Sequence, residues 1–275
     1  MYNLTDRQIV LGATGSIAVY KAVYLASKLT QAAARVDVVM TPEATKFVAP
    51  LTFQSVTGRR VYWDMWDQHQ DLSEPHIALA RAADLFVIAP ATATVIARLA
   101  LGLAEEMVSL TALATRAPIV ICPAMDTNMF EHQATQEHLE TLRARGIHVI
   151  GPEEGRLASG QTGRGRLTEV ELILQGIRQV LGASGDLAGK KVVVSAGGTH
   201  EPIDPVRFVG NSSSGKMGFA LAEAARDRGA KTALICGPVS LPDPAGVHVT
   251  RVRRASEMRD AVVRECADAQ ALIMA

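Results

Sequence analysis

Two glycine-rich turns and one arginine-bearing segment hold the residues best suited to chemistry. Gly12-Ala-Thr-Gly-Ser-Ile17 sits where an apolar run gives way to an amphipathic one. At such a strand-to-helix turn, backbone N–H groups and the Ser16 hydroxyl face an anion at the helix N-terminus. The spacing is neither the GxGxxG dinucleotide fingerprint nor a Walker A loop. It suits a mononucleotide phosphate, and equally a plain tight turn. A second helix opens at Asn211-Ser-Ser-Ser-Gly-Lys-Met-Gly218, again with N–H groups and a helix dipole available to an anion. Lys216 either adds a cation there or is simply a first-turn residue. Before it, Glu201-Pro-Ile-Asp-Pro-Val-Arg207 carries two prolines that stiffen the chain by fixing φ. Arg207 can grip phosphate or carboxylate with two parallel N–H donors. Ser195-Ala-Gly-Gly-Thr199 is one more small-residue loop, placed to face a nucleotide.

These turns need strands behind them. The chain alternates short β-branched runs with amphipathic runs, the pattern of a doubly wound parallel α/β sheet. Strands are expected at 8–11, 36–40, 85–89, 119–122 and 148–150, and helices at 16–31, 92–101, 106–115, 133–145 and 168–181. The small, Gly-rich stretch 182–190 reads as a linker. The alternation then restarts with strands at 191–195, 231–236 and 271–275 and helices at 216–228 and 255–267. Two domains follow, 1–181 and 191–275. The last strand needs buried neighbours and a crossover, so the second domain is expected to be incomplete at its C-terminus.

Composition narrows the class. With 48% hydrophobic and 20% charged residues, the chain can build a large core. A formal net charge of zero argues against a general nucleic-acid or anionic-membrane surface. No uncharged apolar run reaches transmembrane length, and no signal-peptide apolar region opens the chain. The three cysteines are too far apart for a metal motif or a disulfide framework. A reduced cytoplasm is the expected compartment, and no protein-held metal is expected.

The EPIDPVR and NSSSGKMG segments, behind the N-terminal GATGSIAVYK, resemble the bifunctional coenzyme A biosynthesis family, a phosphopantothenoylcysteine decarboxylase fused to a phosphopantothenate–cysteine ligase. The resemblance runs the length of the chain. It implies a flavodoxin-like, Rossmann-type FMN domain followed by the first half of a second Rossmann-like domain. In the family, FMN is held by three segments. Here these match Gly12, Thr14, Gly15, Ser16 and Ile17; Thr41 in Thr41-Pro-Glu-Ala44; and Ala89, Pro90, Ala91 and Thr92. The family's catalytic His matches His76, a base candidate because imidazole titrates near neutrality. Its PxMNxxMW-type motif matches Pro123-Ala-Met-Asp-Thr-Asn-Met-Phe130, which contributes Met125 and Asp126. Its substrate clamp matches Gly155–Leu167, with Ser159, Gly160, Gly163 and Arg166.

The implied chemistry oxidises the thiol-bearing carbon of 4′-phospho-N-pantothenoylcysteine, releases carbon dioxide, and reduces the resulting enethiol to 4′-phosphopantetheine. Two positions depart from the family. Asp126 replaces an Asn that binds the substrate carboxylate. An ionised Asp accepts but does not donate, and two carboxylates about 4 Å apart repel by roughly 4 kcal/mol at an effective dielectric near 20. A protonated Asp126 could still donate one bond. Ser159 replaces a Cys that acts as proton donor, and a hydroxyl is a far weaker acid than a thiol. Three outcomes are open: a complete decarboxylase, an enzyme that releases the enethiol, or a non-catalytic FMN-binding subunit.

In the ligase half, CTP activates 4′-phosphopantothenate for attack by the amine of cysteine. Arg207, Asn211 and Lys216 match its substrate-binding positions. The family's cytosine-recognising, Mg²⁺-binding and triphosphate-binding residues lie beyond the strand at 271–275. The resemblance therefore implies that residues 1–275 do not run the ligase step alone. It also implies a homo-oligomer, trimeric or dodecameric, with decarboxylase sites between subunits.

Overall fold

Apolar runs with few charges become the spine of a parallel sheet. In the computed structural model, which describes residues 3–66 and 74–275, the first six strands are β1 (Gln8–Ala13), β2 (Arg35–Met40), β3 (Val61–Tyr62), β4 (Leu85–Ala91), β5 (Ile119–Pro123) and β6 (His148–Val149). They form one sheet in the order β3-β2-β1-β4-β5-β6, and every pairing is parallel. All residues of β1 and β4 are buried, as strands covered on both faces must be. The order reverses between β1 and β4. In open α/β sheets, ligands bind outside the carboxyl ends of the strands at this point.

The crossovers are α1 (Val19–Gln31), α2 (Pro50–Thr57), α3 (Pro75–Ala82), α4 (Ala93–Leu101), α5 (Met107–Ala114), α6 (Thr127–Glu131) and α7 (Gln133–Ala144). Two capping choices bear on the site. Thr92 caps α4 by accepting from the Val95 N–H, and Asp126 caps α6 by accepting from the Asn128 N–H. α1 starts at Val19 rather than at 16, because the Ser16 and Val19 N–H groups close successive turns onto Thr14 and Ser16 carbonyls. The glycine turn is therefore a longer loop than expected, and Ser16 lies within it.

A second correction concerns 155–167, expected as a Gly-rich loop. It is largely an antiparallel hairpin, β7 (Glu153–Arg156) with β8 (Thr162–Arg166). Its glycines hide the strand signal, since they carry no side chain to alternate. The following helix α8 (Val170–Gly182) contains the division between two compact units, Met1–Ile177 and Arg178–Ala275.

The second unit holds β9 (Lys191–Ala196), a small hairpin of β10 (His200–Pro202) and β11 (Phe208–Gly210), α9 (Lys216–Arg226), β12 (Lys231–Cys236), β13 (His248–Arg251), α10 (Ala255–Cys266) and β14 (Ala271–Met274). Its parallel sheet runs β13-β12-β9-β14. β14 is an edge strand with Leu272 and Met274 exposed. The helix expected at 216–228 ends at Arg226. Among the described residues, no helix is long and apolar enough to cross a membrane.

Candidate active site

Three loops at the carboxyl ends of β1, β2 and β4 are tied together by small residues. Thr14 is fully buried, and its hydroxyl donates to the Pro90 carbonyl at 2.6 Å while accepting from the Thr92 N–H at 3.2 Å. The side chain thus stitches the β1 loop to the β4 loop. Gly15 packs against the β2 loop, where an added Cβ would lie 2.4 Å from Glu43 Cβ. Thr41 is buried, and its hydroxyl accepts from the Ala44 N–H at 3.3 Å. Gly12 is buried beneath the turn, and Ala89 and Ala91 are buried in β4. The groups left to meet a ligand are Ser16 and Ile17, half-buried and exposed, and the half-buried Thr92.

Beside Ser16 and Ile17 opens a cavity of about 620 Å³, a size typical of small-molecule sites. Met125 and Asp126 line it from the β5–α6 loop, and Ser159 and Arg166 from the β7–β8 hairpin. The hairpin is docked on that loop by the backbone: the Met125 N–H donates to the Gly165 carbonyl at 3.0 Å. Gly165 has φ +148°, and a Cβ there would lie 2.2 Å from the Met125 carbonyl oxygen. Only glycine allows this approach. The consequence is a side-chain bond across the cavity wall, with the Ser159 hydroxyl 2.8 Å from Asp126 Oδ2. The other carboxylate oxygen, Oδ1, accepts the Asn128 N–H at 3.1 Å. Gly160 and Gly163 lie within the hairpin, Gly160 at its tip with φ +86°.

The cavity also carries cations. Lys21 donates to Glu169 at 3.1 Å, and Arg166 donates to the same carboxylate. Arg156 lines the cavity without a carboxylate partner among the described residues. No cysteine lines it. The cysteine nearest in sequence, Cys122, is fully buried in β5, and desolvation pushes its thiol up. Sequence reasoning missed Lys21 and Arg156. The Tyr20-Lys21 step, one turn into α1, was the available signal for Lys21. Arg156 carried none apart from its hairpin.

Other candidates do not converge here. His76 stands half-buried in the first turn of α3 and is not among the cavity's lining residues. In the second unit, a cleft is lined by Gly197, Gly198, Thr199 and Asn211 beside α10 and β14. Gly198 approaches the Asn211 carbonyl closely, which holds Asn211 beside the β9 loop. Arg207 is occupied within its own turn, its Nε donating to Asp204 Oδ2 at 2.6 Å. Lys216 is exposed at the start of α9. Among the described residues, no cluster of His, Cys, Asp or Glu could hold a metal ion.

Residues 1–182 match the Flavoprotein family model, and residues 187–275 match the DNA/pantothenate metabolism flavoprotein C-terminal domain. The chain is 45% identical over 98% of its length to the coenzyme A biosynthesis bifunctional protein CoaBC of Haemophilus influenzae, of which it covers 68%. It spans about two thirds of the length of the curated relatives it matches. Among solved structures it resembles a cysteine-to-serine mutant of a PPC decarboxylase complexed with pantothenoylaminoethenethiol. That match has TM-score 0.56 and 32% identity over 63% of this chain and 97% of the other. It also resembles the FMN binding protein AtHal3, with TM-score 0.54 and 31% identity over 63% and 95% of the two chains.

Proposed function

The chain belongs to the family of coenzyme A biosynthesis bifunctional proteins, and on that premise we propose that its first unit is an FMN-dependent decarboxylase. Its substrate in this reading is 4′-phospho-N-pantothenoyl-L-cysteine and its product 4′-phosphopantetheine. One observation carries the reading: residues from the β1 loop, the β5–α6 loop and the β7–β8 hairpin wall a single cavity beyond the carboxyl ends of β1 and β5.

The residues fit a flavin mononucleotide. Thr14 and Gly15 draw the three loops together, which leaves Ser16 and Ile17 on the cavity wall, and the half-buried Thr92 on the β4 loop, to hold it. When bound, FMN supplies the two-electron oxidation that lets the carbon beside sulfur stabilise the charge left by carbon dioxide. The chain's own residues do the rest. The hairpin covers the substrate and excludes water. Arg156, without a carboxylate partner among the described residues, suits an anionic group of the substrate. Lys21 and Arg166 add positive charge around Glu169.

His76 is not among the residues that line the cavity of its own chain. The reading therefore includes a homo-oligomer, in which a neighbouring copy brings its imidazole to this wall. In the same reading the second unit serves a CTP- and Mg²⁺-dependent ligase that joins 4′-phosphopantothenate to cysteine. The match of residues 187–275 and the placement of Asn211 beside Gly198 support it. Apart from copies of the same chain, the partners in this reading are small molecules, in the cytoplasm.

Mass spectrometry of the FMN-loaded chain with 4′-phospho-N-pantothenoylcysteine tests the decarboxylase. Loss of carbon dioxide alone is the expected result. Loss of carbon dioxide plus two hydrogens would mean release of the enethiol. An unchanged substrate, with flavin bound, would leave a binding subunit.

A further inference from the structure

Glu169 is not among the residues that line the cavity, yet it binds two that are, Lys21 and Arg166. We propose that Glu169 is a positioning residue of the decarboxylase site: it fixes the Lys21 ammonium and the Arg166 guanidinium on the wall and ties the β7–β8 hairpin to α1, so that the substrate meets a preset pair of cations. The proposal rests on the decarboxylase reading above. It adds to that reading a residue that lies outside every motif segment of the sequence.

Three observations carry it. The stem is rigid: Leu167, Thr168 and Val170 are buried, and the Glu169 carbonyl accepts the Leu172 and Ile173 N–H groups at 3.0 Å each, which sets it at the start of α8. The carboxylate then reaches two other elements. Lys21 of α1 donates to Oε1 at 3.2 Å and to Oε2 at 3.1 Å, and Arg166 at the end of β8 donates to Oε1. The other strand of the hairpin is bound at the same residue, since the Glu169 N–H donates to Glu153 Oε1 of β7 at 3.3 Å. One residue thus joins both strands of the hairpin to α1. The Met125–Gly165 backbone bond ties the hairpin separately, to the β5–α6 loop.

A lone exposed ion pair contributes little, but linked charges in a fixed geometry do more. Here three charges are linked, and the Lys21 side chain is only 14% exposed. Long cationic side chains lose rotamer freedom when they are held. Glu169 orders both during folding, so binding of an anionic substrate need not order them again. Charge alone argues the other way. If Glu169 only neutralised its neighbours, removing its charge would leave two bare cations beside an anionic substrate, and binding would tighten. Positioning predicts that binding weakens, so the sign of the change separates the two roles.

The test measures KM and kcat of FMN-loaded chains on 4′-phospho-N-pantothenoylcysteine. Glu169→Gln is expected to raise KM about 10-fold, the cost of ordering two freed side chains. Its kcat should change by less than about 3-fold, as for a loss of binding rather than of chemistry. Lys21→Met leaves the start of α8 and the Arg166 bond in place, and should also raise KM. The double variant should match the worse single one, because both changes cut one contact. In the same FMN-loaded chains without substrate, each single variant should lower the exchange protection of the Met125 amide, whose bond to Gly165 opens when the hairpin lifts. A KM that stays or falls in Glu169→Gln, losses that multiply in the double variant, or wild-type protection at Met125 would each overturn the positioning role while leaving the decarboxylase intact. If Glu169→Gln does not fold, Lys21→Met decides: a raised KM with lowered protection supports the role, and wild-type values of either overturn it. A wild type that binds FMN and leaves its substrate unchanged would overturn both readings.

Discussion

Asp126 meets its partner 33 residues away, in Ser159, whereas Arg207 meets its own three residues back, in Asp204. The two units use the same scaffold of parallel strands with loops at their carboxyl ends. They differ in what lies over those loops. In the first, the β7–β8 hairpin docks on the β5–α6 loop and makes a walled cavity. In the second, the β10–β11 hairpin holds its own turn, and the cleft beside Asn211 is bordered by the exposed side chains of an edge strand. Within the second unit's motif segment, Arg207 is bonded inside its own turn, while Glu201 accepts the Ala255 N–H at 2.7 Å.

The comparison can be broken most sharply at Gly165. Gly165→Val places a side chain where the Met125 carbonyl stands, and the hairpin must lift. Decarboxylation should fall by about 100-fold, the usual cost of a misplacement near 1 Å, while the melting of the second unit stays unchanged. Equal activity would mean that the cover is dispensable. The counterpart in the second unit is Gly218, where a Cβ would lie 2.5 Å from Ala196 Cβ on β9. Gly218→Val should destabilise that unit by about 2–3 kcal/mol through overpacking, and denaturant unfolding should register it there alone.

Thr14→Val tests the stitching of the flavin loops. Loss of its hydroxyl leaves the Pro90 carbonyl and Thr92 N–H without that partner. The expected cost is about 1–2 kcal/mol, with weaker FMN retention measured by flavin release. The smallest effect is one of pH. The Arg207 N–H first, then its guanidinium and the Val206 N–H, hold the Asp204 carboxyl below its usual range. A depressed carboxylate lends stability above its unfolded value near pH 4 and loses it as pH falls through the folded one. The protection factors of the Val206 and Arg207 amides, taken against their intrinsic rates, should therefore fall on acidification, while that of the Met125 amide, bonded to a carbonyl, does not respond to that titration.

Much of the scaffold was legible because burial on both faces leaves a plain mark. Runs such as Val192–Val194 and Leu85–Ile88 are apolar without alternation, and both became central strands. Helices with a clear amphipathic period fell within a few residues of expectation. The hairpins were not legible, since Gly163 and Gly165 write no pattern, and their role is set by how close a carbonyl stands. The motif pointed to Asp126 and Ser159 singly, as two departures, but not to the bond between them, which is tertiary. Nor did the sequence separate Thr14, a stitch between loops, from Ser16, a group at the cavity. Both are hydroxyls in one turn, and only the path of the backbone distinguishes them.

The hairpin also gives the cavity a handedness. Arg156, Leu157, Ala158 and Ser159 come from one wall only, so a flat carbon bound there turns one face to the hairpin. Product made in heavy water should then carry its deuterium in a single configuration, a stereochemical signature that solvent, arriving from either side, does not write.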